Sequence, residues 1–253
     1  MQIQLLRHAT LLLTINNRKI LVDPMLSPKG AMPAIPQVAN TDNNPLVDLP
    51  IERSQLQDID AILVTHTHPD HFDDAAAAFL SKEIPVFCQP EDTEKMRSYG
   101  FHHVNPIEAS YSWNSLHIHR TAGQHGTGEI GEKMAPVSGF VLHAENEPSL
   151  YIVGDSIWCK EVEDALEQFH PDITVCFAGS AQFHVGDPIT MNAQDIYHVC
   201  KKSPETKVVA VHMETWNHCS LSRRNLKSFL EREHLTAQVY VPDDGEIMMF
   251  NQY

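Results

Sequence analysis

The run His66-Thr67-His68-Pro69-Asp70-His71 sets three imidazoles and one carboxylate within six residues. Alternate residues of an extended segment point the same way, so His66 and His68 can grip one cation together. Pro69 stiffens the turn that follows, and Asp70 and His71 can then face a second ion beside the first. Imidazole and carboxylate donors suit zinc, manganese or iron. The bland alternative is a histidine-rich loop on a chain that carries 16 histidines. The position of the run, directly after an apolar strand and before an alanine-rich helix, favours the metal reading.

One loop cannot fill two coordination shells, and three further candidates stand at the ends of expected strands. His125 lies in Ala122-Gly123-Gln124-His125-Gly126, Asp155 in Val153-Gly154-Asp155-Ser156, and His212 opens His212-Met213-Glu214-Thr215-Trp216. The rivals of His125 are His117 and His119, which lie inside the preceding strand and are read as cross-strand or surface residues. An aspartate can bridge two cations, because each of its oxygens can bind one.

The elements that must position these groups follow from apolar patterning. Strands are expected at Gln2–Leu6, Thr10–Ile15, Lys19–Val22, Ile59–Thr65, Pro85–Cys88, Leu116–Arg120, Ser138–His143, Leu150–Val153, Ile173–Phe177 and Lys207–His212. Two short strands, Gln238–Val241 and Glu246–Phe250, close the chain. Helices are expected at Phe72–Lys82, Glu91–Tyr99, Lys160–Phe169, Asn192–Lys202 and Leu221–His234. Each half pairs antiparallel-type strands with strand–helix units. The simplest reading is one α/β domain over 1–253, a two-sheet, four-layer αββα sandwich. Between Asp23 and Arg53 runs a segment rich in Pro, Asn and Gly, expected to be an ordered excursion over the fold, since long ordered loops are usually functional.

Composition bounds the rest. With 18 basic and 33 acidic residues the net charge is −15. So acidic a surface argues against nucleic acid or an anionic membrane as partner, leaving a small molecule. No apolar run reaches the length of a spanning helix. The five cysteines show no CxxC pair, so reduced thiols in a cytoplasmic protein are expected.

The ordered set HxHxDH, a lone His, Gly-Asp-Ser and a strand-terminal His resembles the metallo-β-lactamase-fold hydrolase superfamily. Arg7-His8-Ala9-Thr10, Ile20-Leu21-Val22-Asp23-Pro24 and Asp187-Pro188-Ile189-Thr190-Met191-Asn192 resemble one branch of it. That branch includes the ascorbate-6-phosphate lactonases and N-acyl-phosphatidylethanolamine phospholipase D. The resemblance spans nearly the whole chain and implies the αββα metallo-β-lactamase fold. It also implies two divalent metal ions, zinc before manganese or iron. His66, His68 and His125 would hold the first, Asp70, His71 and His212 the second, and Asp155 would bridge. Asp23 would support a ligand histidine from behind.

Two dications against two carboxylates leave the site at about +2. A hydroxide bridging the ions is then expected to attack a small, anionic lactone or ester, with Asp70 orienting it and taking its proton. A phosphodiesterase on the same site is the alternative, and a di-iron redox enzyme a lesser one. His184, Trp216 and His218 are expected to contact substrate. The loops Met25–Arg53 and Gly126–Ala135 would decide which substrate enters, and assembly into homo-oligomers is compatible with the resemblance.

Overall fold

The computed structural model describes residues 1–251. β1 (Gln2–Arg7), β2 (Thr10–Ile15) and β3 (Arg18–Val22) open the chain as an antiparallel meander. After the excursion come β4 (Ala61–Val64), α1 (Asp74–Phe79), β5 (Val86–Cys88), α2 (Thr93–Ser98) and β6 (Val104–Pro106). β7 (Ser110–Trp113), β8 (Leu116–Ala122), α3 (Gly128–Met134), β9 (Ser138–Ala144) and β10 (Leu150–Ile152) follow. The chain then runs through α4 (Lys160–Phe169), β11 (Ile173–Phe177), α5 (Ala193–Lys202) and β12 (Lys207–Val211). It continues with α6 (Arg223–Arg232), β13 (Val239–Tyr240) and β14 (Ile247–Met249).

Two seven-stranded sheets result, in the orders β14-β1-β2-β3-β4-β5-β6 and β13-β12-β11-β10-β9-β8-β7. They bury a shared core that includes Leu5, Leu13, Leu63, Phe87, Phe140, Ile152, Val175 and Val211. Helices α1 and α2 pack on the outer face of the first sheet, through Ala76, Ala77 and Met96. Helices α4, α5 and α6 cover the second, through Leu166, Val199 and Leu226. This is the metallo-β-lactamase fold, two mixed sheets flanked by helices. The strands β4, β11 and β12 read as near-continuous apolar runs because both of their faces are covered.

Several boundaries differ from the patterning. The helix expected at Phe72–Lys82 covers only Asp74–Phe79, because Asp73 caps it by accepting from Ala76 N at 2.7 Å. The helix expected at Glu91–Tyr99 divides into a 3-10 turn at Pro90–Asp92 and then α2. Patterning does not predict β6 and β7, because their exposed or half-buried residues carry no clean alternation. The two closing strands do not pair with each other: β13 joins β12 in one sheet and β14 joins β1 in the other.

The excursion between β3 and β4 is ordered and held from beneath by the buried Arg7. Its guanidinium donates to the carbonyls of Val47 at 2.8 Å, Met25 at 3.0 Å and Ser27 at 2.5 Å. Burial lowers the Arg7 pKa to about 10, so it stays charged at neutral pH. Asn217, on the loop after β12, fastens the middle of the excursion. Its side chain accepts from Ile35 N at 3.0 Å and donates to the carbonyls of Ile35 at 3.0 Å and Asn40 at 2.7 Å. It exchanges further bonds with the side chain of Asn44. Among the described residues no helix is long and apolar enough to cross a membrane.

Candidate metal centre

β4, β8, β10 and β12 end at one rim of the sandwich, the edge at which open α/β sheets present ligand-binding groups. His66, His68, Asp70 and His71 leave the end of β4. His125 follows β8, Asp155 follows β10 and His212 follows β12. All the residues singled out as metal donors therefore converge. His66, His68 and His125 bring ligating atoms within 4.8 Å of one another, as do His66, His71 and Asp155. A third such group holds Asp70, His71 and His212 together with His8. Asp155 lies between the groups. Its Oδ2 is 3.3 Å from both His71 Nε2 and His125 Nε2, and its Oδ1 is 3.3 Å from His212 Nε2.

Backbone geometry makes this approach feasible. Gly154 has φ +75°, and a Cβ there would stand 2.4 Å from the Ser138 carbonyl, so only glycine permits the turn that presents Asp155. At Gly179 a Cβ would fall 2.3 Å from the His212 carbonyl and 2.8 Å from its Nδ1.

The outer nitrogens of the rings are held by the protein, which leaves the inner ones free to bind. His71 Nδ1 lies 2.9 Å from Asp23 Oδ2, and Asp23 also accepts from the Thr65 N–H and hydroxyl, each at 2.7 Å. His125 Nδ1 donates to the Ile189 carbonyl at 2.7 Å. The supporting role expected of Asp23 thus has its geometry. Asp23→Asn puts an N–H opposite an N–H, and is expected to weaken metal binding by about 10- to 100-fold. Competition with a chromogenic chelator measures this, and unaltered affinity would remove Asp23 from the role.

The inner atoms fit a cation. His66 Nε2 lies 2.9 Å from His68 Nδ1, and His71 Nε2 lies 3.3 Å from His212 Nε2. Asp155 Oδ1 is buried with no hydrogen-bond partner. Nitrogens and carboxylate oxygens aimed at common points, too many to be satisfied by one another, are the donor set that zinc, manganese or iron takes.

Electrostatics without metal point the same way. Burial pushes the pKa of His66 and His68 down, keeping them neutral. At His71 and His212 burial also pulls downward, but the carboxylates outweigh it. Asp155 and Asp70 hold His71 well above its usual value, and Asp155 foremost raises His212 to about 10. Burial alone would raise Asp70, but His71, His212 and His8 hold it well below the usual carboxylate range, so it is ionised.

His8 is the member that patterning did not single out. It sits at the turn from β1 to β2 with φ 56°, fully buried. Its ring lies on His212, with centroids 3.6 Å apart. Burial lowers its pKa and keeps it neutral, so its Nε2–H donates to Asp70 Oδ2 at 3.1 Å. Its one local signal is a left-handed backbone at a non-glycine residue, which no sequence spacing reports. The rivals of His125 stand apart: His117 is exposed and bonds Ser112, while His119 packs on Phe169.

Over the cluster opens a cavity of about 150 Å³. His68, Asp70, His125 and Asp155 form its floor, and Ile35, Met134, Phe183, Ile189 and Trp216 wall it, with His218 beside Trp216. Trp216 and His218 are therefore at the cavity. His184 is not: the loop turns Phe183 inward and leaves His184 exposed, its N–H donating to the Gln37 carbonyl. The loop Gly126–Ala135 contains α3, which places Met134 in the wall. That helix escaped patterning because it has no buried residue and hence no apolar face.

Comparison with known proteins agrees with this geometry. A family profile described as a beta-lactamase superfamily domain matches residues 18–213. The UPF0173 protein YddR of Bacillus subtilis (strain 168) is 37% identical, over 99% of this chain and all of its own length. The UPF0173 metal-dependent hydrolase SAR1785 of Staphylococcus aureus (strain MRSA252) is 27% identical, over 83% of this chain and 84% of its own. The crystal structure of isothiocyanate hydrolase from Delia radicum gut bacteria superposes with a TM-score of 0.95. It shares 34% identity, with both chains fully covered.

Proposed function

The chain belongs to the beta-lactamase superfamily and, within it, to the UPF0173 metal-dependent hydrolases, and from that premise we propose a two-metal hydrolase of small, neutral electrophiles. The observation that carries the substrate class is the cavity. Its lining is mainly apolar, and no lysine or arginine takes part in it. The anionic lactone or ester expected from the charge of two dications, and the phosphodiester alternative, would find no cationic side chain there. A compact electrophilic group bearing an apolar substituent fits the walls. Isothiocyanates have this form, and the similarity to the isothiocyanate hydrolase supports the choice.

In this reading His66, His68 and His125 would hold one divalent ion, Asp70, His71 and His212 the other, and Asp155 would contribute to both. Zinc heads the candidates, with manganese or iron as alternatives. Such ions, when bound, supply Lewis acidity and lower the pKa of a coordinated water to about 7. The chain's own residues do the rest. Asp70, kept ionised and steadied by His8, takes a proton from the attacking water. Ile35, Met134 and Phe183 exclude bulk water and hold the substituent. Oxygen from water joins the central carbon of R–N=C=S and a proton goes to nitrogen, giving R–NH–C(=O)–SH. Cleavage of the carbon–nitrogen bond, with the S–H proton passing to nitrogen, then yields R–NH2 and carbonyl sulfide.

The test is a panel on zinc- or manganese-loaded protein: phenethyl isothiocyanate, a γ-lactone, a phosphate diester and a thioester. Amine release from the isothiocyanate is expected to exceed turnover of the phosphate diester by at least about 100-fold, the size of discrimination an apolar pocket can impose. Turnover of the diester with the isothiocyanate untouched would overturn the reading.

A further inference from the structure

We propose that Trp216 and His218 form a pair of N–H donors built to bind the heteroatom of the substrate that gains electron density during attack, an inference that rests on the function proposed above. Both residues line the cavity over the metal donors. Both are at least nine-tenths buried, Trp216 at 2% exposure and His218 at 9%. Each carries a buried nitrogen without a hydrogen-bond partner, Nε1 of Trp216 and Nδ1 of His218. A buried polar nitrogen left unpaired is costly, and native structures rarely keep one without a use. Two on one short segment, both beside a ligand cavity, mark a place where a ligand supplies the acceptor.

The residue between them explains why the pair stays unpaired. Asn217 turns to the other side, and its side-chain amide and backbone N–H are occupied by Ile35, Asn40 and Asn44. The loop is thus clamped through Asn217, and it cannot relax to satisfy its neighbours. The two rings sit edge to face with centroids 6.1 Å apart, so neither fills the other's need. Burial lowers the His218 pKa to about 4, so the imidazole is neutral at pH 7, and the proposed pair takes the tautomer that carries its one N–H on Nδ1. A neutral donor stabilises a developing negative charge without binding an anion tightly in the ground state. The ligand implied is a neutral molecule whose acceptor is a sulfur, nitrogen or oxygen conjugated to the attacked carbon.

Trp216→Phe and His218→Leu are each expected to lower kcat for phenethyl isothiocyanate by about 100-fold, with little change in KM or in metal content. His218→Asn, which returns an N–H near the Nδ1 position, is expected to recover part of the leucine loss. A second readout needs no turnover. In metal-free protein the indole N–H signal of Trp216, assigned by its disappearance in Trp216→Phe, is expected to shift when unreactive N-phenethylthioacetamide is added. A shift with wild-type protein inert toward the isothiocyanate leaves the donor pair standing and removes the proposed reaction. Isothiocyanate turnover that survives both substitutions, or an indole signal that the thioamide does not move, overturns the donor pair.

Discussion

Asp155→Ala is expected to abolish stable metal binding and to lower turnover by about 1000-fold. No other carboxylate reaches so many of the donor nitrogens. It stands 3.3 Å from His71, His125 and His212 and 3.8 Å from His66, whereas Asp70 approaches three histidines, His8, His71 and His212. Without it the site keeps its imidazoles but loses half of its negative charge, so a dication is held by neutral donors and Asp70 alone. Metal-derived charge stabilisation is worth several kcal/mol, which at about 1.4 kcal/mol per tenfold is about three decades of rate. Elemental analysis of the purified variant, beside its kcat, reads both effects. Asp155→Asn separates charge from shape, because it keeps the volume and an acceptor while removing the anion. Full metal occupancy in Asp155→Asn would show that the charge of Asp155 is not what holds the ions.

Metal uptake is expected to release about two protons per chain near pH 7, and apparent affinity is expected to rise up to about 100-fold per pH unit between pH 6 and 9. The reason lies in the metal-free cluster. Asp70 and Asp155 are ionised, and the protons that balance them sit on His71 and His212, both raised in pKa, His212 to about 10. A cation can take those nitrogens only when the protons leave. The sign for folding runs the opposite way. Histidines raised above their unfolded value of about 6.5 stabilise the metal-free fold fully below that pH. That contribution is lost as pH climbs through the folded value, so metal-free protein weakens toward pH 10 while loaded protein does not. Calorimetric titration with zinc in two buffers of different ionisation enthalpy counts the protons. A count of zero would mean that His71 and His212 are neutral before metal arrives.

The candidate metal donors were legible in the chain because they are local or stand at predictable places. HxHxDH is one contiguous turn, and His125, Asp155 and His212 each follow an apolar strand whose end the patterning located. Strand ends in this kind of layered fold gather at one rim, so reading the strands was enough to gather the donors. His8 shows where this stops. It reaches Asp70 across 62 residues from a turn between two antiparallel strands, and no spacing rule links such a pair.

Residue types and spacing by themselves determined the layered α/β class and offered the candidate donors, since strands follow from periodicity and HxHxDH is carried by neighbouring residues. That Asp23 backs a histidine was implied by the family resemblance, and only the fold, across 48 residues, makes that histidine His71. Tertiary structure alone decided what stands above the metal donors. Ile35 comes from a proline-rich excursion, Met134 from a helix with no apolar face, and Phe183 from a loop that turns His184 outward. The placing of Ile35 depends on Arg7 and Asn217 binding backbone carbonyls far away in sequence. Backbone carbonyls are common to every residue, so such bonds leave no trace in residue identity, and the apolar character of the cavity appears only once the chain is folded.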